Sequence, residues 1–537
     1  MTAREIESTL GCVQDGEGST MANTSKYQVN LDALIPRADL FERADSVVAD
    51  TSAIRVSDLE PGVVYDMLRK PDFQRETNSW SPKQVARLIE TFSKADIIPS
   101  VILWQSGNKI FIVDGAHRLS ALVAWIRDDY GNGKLSADFF SGKIPDQQKH
   151  LDEETRTLVN NTVGPWIAHK KGGSMLNMKD VQIQWLKSPK AEQAAAAFIR
   201  INEGGTVIDP LEARILRAKR SALSIATRII SRGGTGHEYW NHFTDENAKE
   251  RAPKLGAEIY KLLFSPTLET PIKTMDVPMA GFGYGVGALR VAFDLVGLAN
   301  DLDVPDSSRS KGKDKDLADD LTGKDTITYL LKVRRSLQLV LSNEKLSLGL
   351  HPALYFYSGG GAFQPAALHN AVAWLLSLEK RNKIKKFLRV RRPFENLLLA
   401  HPVITKPATH KLGSGDRTRS KMLALFERAV DLLTDDRDQE LAWKKLSKQF
   451  QYLAIDEAEE KAESKKGSRG KSFSSGAKSA ATFVELSSVS RCALCGGLLH
   501  KNGKVVDHKD PKASGGSSAS VNARWVHPAC NSNRQTS

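Results

Sequence analysis

The stretch CALCGGLLHKNGKVVDHKDPKASGGSSASVNARWVHPACNSNR, from Cys492 to Arg534, holds three of the four cysteines in a chain of 537 residues. Two are spaced CxxC, and the third closes HxxC. Zinc takes four soft or borderline ligands in a tetrahedron, often offered as two short pairs. Cys492 and Cys495 make one pair, on a turn with Gly496 and Gly497, and His527 and Cys530 make the other. Clustered Cys/His spacing points to a metal in a reducing compartment, since so few cysteines make no disulfide framework. Cys12 is left over.

Between the pairs lies VVDHKDP. Val505 and Val506 suit a strand, and Asp507 and His508 sit at or beyond its end. A histidine there can take a proton from water, and a neighbouring carboxylate can hold a divalent ion against a phosphate. Asn531 follows Cys530 at the expected start of a helix, where it offers a neutral second ligand. Residues 491–537 carry seven Lys/Arg against two Asp, the bias a module handling phosphodiesters needs.

This pattern resembles the HNH nucleases, whose fold is a ββα hairpin and helix around one catalytic metal. The resemblance implies that His508 is the general base and Asp507 the first metal ligand. It implies that Asn522 orients the base and the loop, and that Asn531 is the last ligand of Mg²⁺ or another divalent ion. Pro511 and the Gly515-Gly516 turn match as well. The second zinc pair is commonly CxxC, and here it begins with His527. We assign His527 to zinc because it keeps the spacing to Cys530. The alternative makes it the terminal catalytic histidine and leaves zinc three cysteines. A purely structural zinc knuckle is the plainer reading of the same residues.

Upstream, DEAEEKAESKKGSRGKSFSSGAKSA is poor in apolar residues, so 456–485 reads as a flexible tether before a module at 486–537. Residues 226–455 read mostly as helix, with a charged surface loop or linker at 303–325. LHNAVAWLLSLEKRNKIKKFLRV reads as one long helix. Lys380 to Arg392 holds eight basic residues and no acid. That run is a solvated helix face or a phosphate-contacting stripe, with Lys383, Lys386 and Arg389 as the candidate DNA contacts. FYSGGGAF lacks the Lys-Ser/Thr of a P-loop and reads as a loop joining helices.

Residues 51–225 look compact and mixed, after a polar arm at 1–50. Ser81 and Pro82 open a helix whose Val85, Leu88, Ile89 and Phe92 share one face. SVILW and KIFIV follow, joined by Ser106, Gly107 and Asn108, as a β-hairpin. DGAHR comes next, then a second helix, LSALVAWIRDDYG, ending near Gly131. Gly115 lets backbone approach a ligand, and Arg118 opens a helix whose N–H groups favour an anion. Arg75 offers a planar fork to phosphate oxygens.

These residues resemble the ParB/sulfiredoxin superfamily, in particular the N-terminal domain of GmrSD-type restriction enzymes. That domain has QR before Trp, a helix, IP, a strand, IDGQQRLxxL and a helix. The counterparts are Gln74-Arg75, Trp80, Ile98-Pro99 and Asp114 to Leu122. FIRINEGGTVIDPLEAR, from Phe198 to Arg214, matches a later element and places Asn202 and Glu212 at the pocket border. The resemblance implies that Gln74, Arg75, Asp114, Gly115, His117, Arg118 and Asn202 bind a nucleoside triphosphate (GTP, ATP or CTP). Ala116-His117 stand where the family has two glutamines, which puts hydrolysis in more doubt than binding. A sulfiredoxin-like phosphotransferase needs a cysteine near this loop, and none lies between Cys12 and Cys492.

Net charge of +13 and a pI of about 9.3 favour a polyanionic partner. No leader and no apolar run of membrane-spanning length stands out, so the expected place is the cytoplasm. The expectation is an α+β multidomain protein. It has a mixed ParB/sulfiredoxin-like N-terminal domain, a mostly α-helical middle and a small zinc-stapled ββα-metal (HNH) domain. It reads as a nucleotide-responsive, metal-dependent DNA endonuclease of a restriction or anti-phage type, with a second copy or a defence-system subunit as possible partners. The alternative is a non-catalytic, nucleotide-switched DNA-binding protein with a structural zinc knuckle.

Overall fold

The computed structural model of the protein describes residues 28–38, 51–453 apart from 266–275, 303–317, 406–415 and shorter gaps, and 484–533. The arm at 1–50 and the tether at 456–485 lie largely outside these residues. The chain is α+β, with one mixed sheet and a mostly helical remainder. The sheet strands are β1 (Arg37–Ala38), β2 (Ala53–Arg55), β3 (Leu68–Pro71), β4 (Val101–Ser106), β5 (Lys109–Asp114) and β6 (Asp180–Trp185). Their order is β1-β3-β5-β4-β6-β2. β4 and β5 form the expected hairpin, while β1, β3, β5 and β4, β6 pair in parallel.

The helix Pro82–Ser93 starts where its sequence says it should. Ser81 accepts from the Gln84 amide, and the Gln84 side chain reaches back to the Ser81 amide. Val85, Ile89 and Phe92 are buried against the sheet with Leu119, Leu122 and Trp125 of helix Ala116–Arg127. That second helix stops at Arg127, short of Gly131, because Asp128 turns left-handed at φ 50°. The sheet's other face buries Trp104, Phe111 and Val113.

Beneath β1 and β3 lies a buried charge cluster that the sequence did not announce. Asp32 is bonded by Arg37 at 2.6 Å and Lys70 at 2.7 Å, and all three are buried. Arg37 and Lys70 hold the Asp32 carboxyl well below its usual range, despite burial. Lys70 also bonds Thr77, and Arg37 donates to the carbonyls of Pro71 and Gln74. The network therefore fixes the segment from Pro71 to Thr77 to the sheet.

The helical body comprises Ala222–Ser231, Glu246–Phe264, Val286–Ala299, Lys324–Val340 and Pro365–Lys380, with Ile384–Ala400, Asp416–Asp435 and Gln439–Gln449. Two expectations are corrected here. The single long helix is two, broken at Arg381–Lys383, where Asn382 takes φ 55°. The linker expected to run to 325 ends earlier. Asp320 is buried and accepts from Gly323 and Thr326, opening the helix that begins at Lys324.

The C-terminal module does not hang from the body. Its Leu486, Leu498 and Ala529 belong to the same hydrophobic cluster as Ile225, Leu337 and Phe394 of the helices. Arg391 and Glu395, a buried pair on Ile384–Ala400, form the seat. Glu395 accepts from the Leu498 amide, and Arg391 donates to the carbonyls of Leu348 and Gly349. A side chain at Gly497 would strike Arg391. Gly349 lies so close to Gly503 and His527 that a Cβ there would come 2.5 Å from the Gly503 carbonyl.

Candidate functional site

The first site is the Cys/His cluster. Leu498 and Arg491 pair across the CxxC turn, and Gly496 takes φ 70° to close it. The ligand atoms of Cys492, Cys495, His527 and Cys530 all lie within 4.8 Å of one another. His527 is fully buried. Its Nε2 is 2.9 Å from the Leu498 carbonyl, which turns Nδ1 toward Cys495 Sγ (3.3 Å) and Cys530 Sγ (4.0 Å). A backbone carbonyl that fixes the ring of a histidine ligand is the usual support for a zinc site. Three thiols and one imidazole at these separations fit tetrahedral zinc. Bonds from Cys495 and Cys530 hold the Cys492 thiol far below its usual value. Burial first, and Arg391 second, push the His527 pKa down, which favours the neutral ring that ligates zinc.

Beside the cluster stands the hairpin of β7 (Val505–His508) and β8 (Ala523–Val526), followed by helix Pro528–Asn533. Val505 packs against Cys492, Leu499, Val526 and Cys530. Alternation along β7 then puts Asp507 on that inner face and Val506 on the outer one. His508, the last residue of the strand, stands half-buried opposite Ala523. Asp507 is buried and its carboxylate is bonded by Arg524, at 2.9 Å from Nε and 2.8 Å from NH2. A cation at Asp507 would have to share that carboxylate with Arg524. Asn531 lies on the helix that packs against β7, partly exposed. Asn522 is buried and ties down the intervening loop: it accepts from the Asp510 amide at 2.7 Å and donates to the Ser517 carbonyl at 2.7 Å.

The second site lies at the end of β5. Gly115 follows Asp114 with φ 95°, and a Cβ there would come 2.8 Å from Val101. Only glycine makes that turn without strain. Arg118 then reaches back to Asp114 at 2.6 Å and to the Ser100 carbonyl at 3.2 Å, leaving its buried Nε without a partner. His117 is 2.8 Å from Ser79 and stacks on Trp80 at 5.4 Å. So the structure joins the DGAHR turn to the segment that carries Gln74. Gln74 itself is buried, its side-chain Oε1 unpartnered. Arg75, Asn202 and Glu212 lie outside the described residues.

Sequence reasoning missed how this segment is held from the other side. Lys219 bonds Asp72 at 3.3 Å, Arg228 donates to the Asp72 carbonyl at 3.1 Å, and Arg232 pairs with Glu76. The last two come from helix Ala222–Ser231 and the residue after it, within the helical body. A cavity of about 270 Å³ opens beside Arg232, lined by Phe140, Lys143, Tyr260 and Thr235 among others. Of the proposed DNA contacts, Lys386 is bonded to Asp431 at 2.8 Å, Lys383 stands at the residue before its helix without a side-chain cap bond, and Arg389 is exposed.

Residues 57–219 match the family model described as GmrSD restriction endonuclease, N-terminal domain. No curated protein matches the chain, and no solved structure does. The match covers the N-terminal part of the chain and supports a GmrSD-type domain there. Among the described residues no helix is long and apolar enough to cross a membrane.

Proposed function

We propose that the chain is a nucleotide-responsive, metal-dependent DNA endonuclease in which the C-terminal hairpin and helix carry an HNH-type centre. The observation that carries this reading is the hairpin itself. It ends on Asp507-His508, is built on a Cys₃His cluster and has its loop tied by Asn522. A scissile phosphate would lie at the open end of the hairpin. His508 takes a proton from the attacking water there. Asn522 holds the loop that frames the base. Asp507 and Asn531 would hold a divalent ion, with Asp507 sharing its carboxylate with Arg524, and that ion would supply charge stabilisation at the phosphorus centre and the departing 3′ oxygen. Zinc staples the fold and stays out of the reaction.

The N-terminal domain is the nucleotide site of this reading, of ParB/sulfiredoxin type. Gln74, Arg75, Asp114, Gly115, His117 and Arg118 cradle a triphosphate, with Asn202 at its border. Support comes from the helix N-terminus after Gly115 and from Arg118, held beside that turn by its ion pair with Asp114. The contacts of Lys219, Arg228 and Arg232 give the helical body a grip on the same segment.

The test is nicking of supercoiled plasmid with Mg²⁺ or Mn²⁺, comparing wild type with His508→Ala, with each triphosphate in turn. Loss of at least a hundredfold in the variant is expected, within the range for removing a general base. Equal activity in both proteins rejects the catalytic assignment, and cleavage indifferent to every triphosphate rejects the nucleotide response. One observation favours the rival, a non-catalytic DNA-binding switch: Arg524 already engages the Asp507 carboxylate.

A further inference from the structure

Helix Ile384–Ala400 is asymmetric in charge as well as in burial. Phe387, Val390, Arg391, Phe394 and Glu395 are buried, which leaves Lys385, Arg389 and Arg392 exposed at i, i+4 and i+7. On the other flank Lys386 pairs with Asp431, and Arg381, just before the helix, pairs with Glu427. The exposed stripe runs directly into the zinc module. Arg392 lies under Gly496, where a Cβ would come 2.6 Å from its Cδ. Arg491 then links the two parts, donating to the Gly496 carbonyl at 2.9 Å and to Asn396 at 3.0 Å.

From there the surface continues onto the hairpin. The Ala493 amide donates to the Trp525 carbonyl. The Trp525 indole is 49% exposed on the outer face, with the Lys504 ammonium 4.7 Å from its ring centre, next to exposed Val506. His508 ends that same outer row.

We propose that the exposed stripe of Lys385, Arg389 and Arg392 and the outer hairpin face of Lys504 and Trp525 form one continuous DNA track leading to His508. This rests on the nuclease reading above and names the surface by which that site is loaded. The stripe spans about 10 Å at 1.5 Å per residue, roughly three nucleotides of one strand. An exposed indole with one ammonium group beside it suits the sugar and base edges of nucleic acid, while the arginines take phosphates. The occupant is duplex DNA rather than an acidic protein, because the cationic row is continuous with the module that carries His508.

The experiment measures binding of a fluorescent 30-base-pair duplex to the full-length, zinc-loaded protein over a series of KCl concentrations with Ca²⁺ in place of Mg²⁺. Arg389→Glu/Arg392→Glu is expected to weaken binding at least tenfold and to lower the salt slope by about two, near one per phosphate contact. Arg389→Ala, one turn away from Gly496, should lower the slope by about one. Trp525→Ala should weaken binding without changing the slope. Lys444→Glu/Lys448→Glu, exposed on another helix, is the control and should bind as wild type. Unchanged binding by the stripe variants, or an equal loss in the control, overturns the track. Zinc content and melting equal to wild type show that each variant is folded. The nuclease reading is judged separately, by nicking with His508→Ala, so either can fail alone.

Discussion

Asp152 shows how much a single buried side chain can say. It is fully buried, its Oδ1 accepts from Gln148, and its Oδ2 has no hydrogen-bond partner. Burial first, and the nearby Asp129 second, push its carboxyl up to about 9. Its folded value lies above its unfolded one, so the native state holds the proton more tightly. Stability from this group is therefore full at acid pH, declines from near pH 4 to near pH 9 and is flat beyond. At about 1.4 kcal/mol per pH unit, the cost by pH 7 is on the order of 4 kcal/mol. Asp152→Asn keeps an acceptor for Gln148 and removes the titration. Urea unfolding should show the variant gaining on wild type between pH 5 and pH 8, and parallel curves would refute the protonated state. Nothing in the sequence marks Asp152, because its environment is assembled from Asn30, Asp129 and Gln148. The Cys492, Cys495, His527 and Cys530 cluster, by contrast, is legible because chemistry and spacing coincide within a few residues.

Helix Ile384–Ala400 was half legible. Its 3.6-residue period is plain, but its cations read as one uniform run, and the structure sorts them into three kinds. Arg391 is a buried seat, Lys386 is paired, and Lys385, Arg389 and Arg392 remain exposed. The Glu395 four residues after Arg391 was the available sign of an internal pair. The break before this helix had no glycine or proline to mark it, since Asn382 makes the turn. Strands β1, β2 and β3 escaped notice because they are two to four residues long and pair across large sequence gaps, as Arg37 does with Lys70. At this scale the buried pair yields a prediction. Glu395→Ala strands the Arg391 charge and removes the acceptor of Leu498, a loss of about 3–5 kcal/mol. Thermal melting should fall, and limited proteolysis should release the zinc module first. Release at the wild-type rate would show that the seat does not hold it.

Across the whole molecule, the segment from Asp72 to Glu76 and the C-terminal module are joined through packed contacts. Asp72 and Glu76 are gripped by Lys219, Arg228 and Arg232, and the helix carrying Arg228 lies in the hydrophobic cluster that also takes in Leu498 and Ala529. A two-state shift at one end has a packed route to the other, which is the physical requirement for coupling. Arg232→Ala should leave nicking without nucleotide near the wild-type rate and reduce its stimulation by the effective triphosphate several-fold. A variant that responds fully would place the coupling elsewhere. The Cys/His cluster and the DGAHR turn were readable because each is local; the route between them was not, because it is made of contacts more than a hundred residues apart.

The shared cluster has one more consequence. A fragment beginning near residue 486 would carry Leu486, Leu498 and Ala529 with nothing to cover them, and Gly497 without the guanidinium it rests on. The C-terminal module is thus not a portable cassette. Anyone grafting it onto another protein has to bring the Ile384–Ala400 platform along, or design a substitute for it.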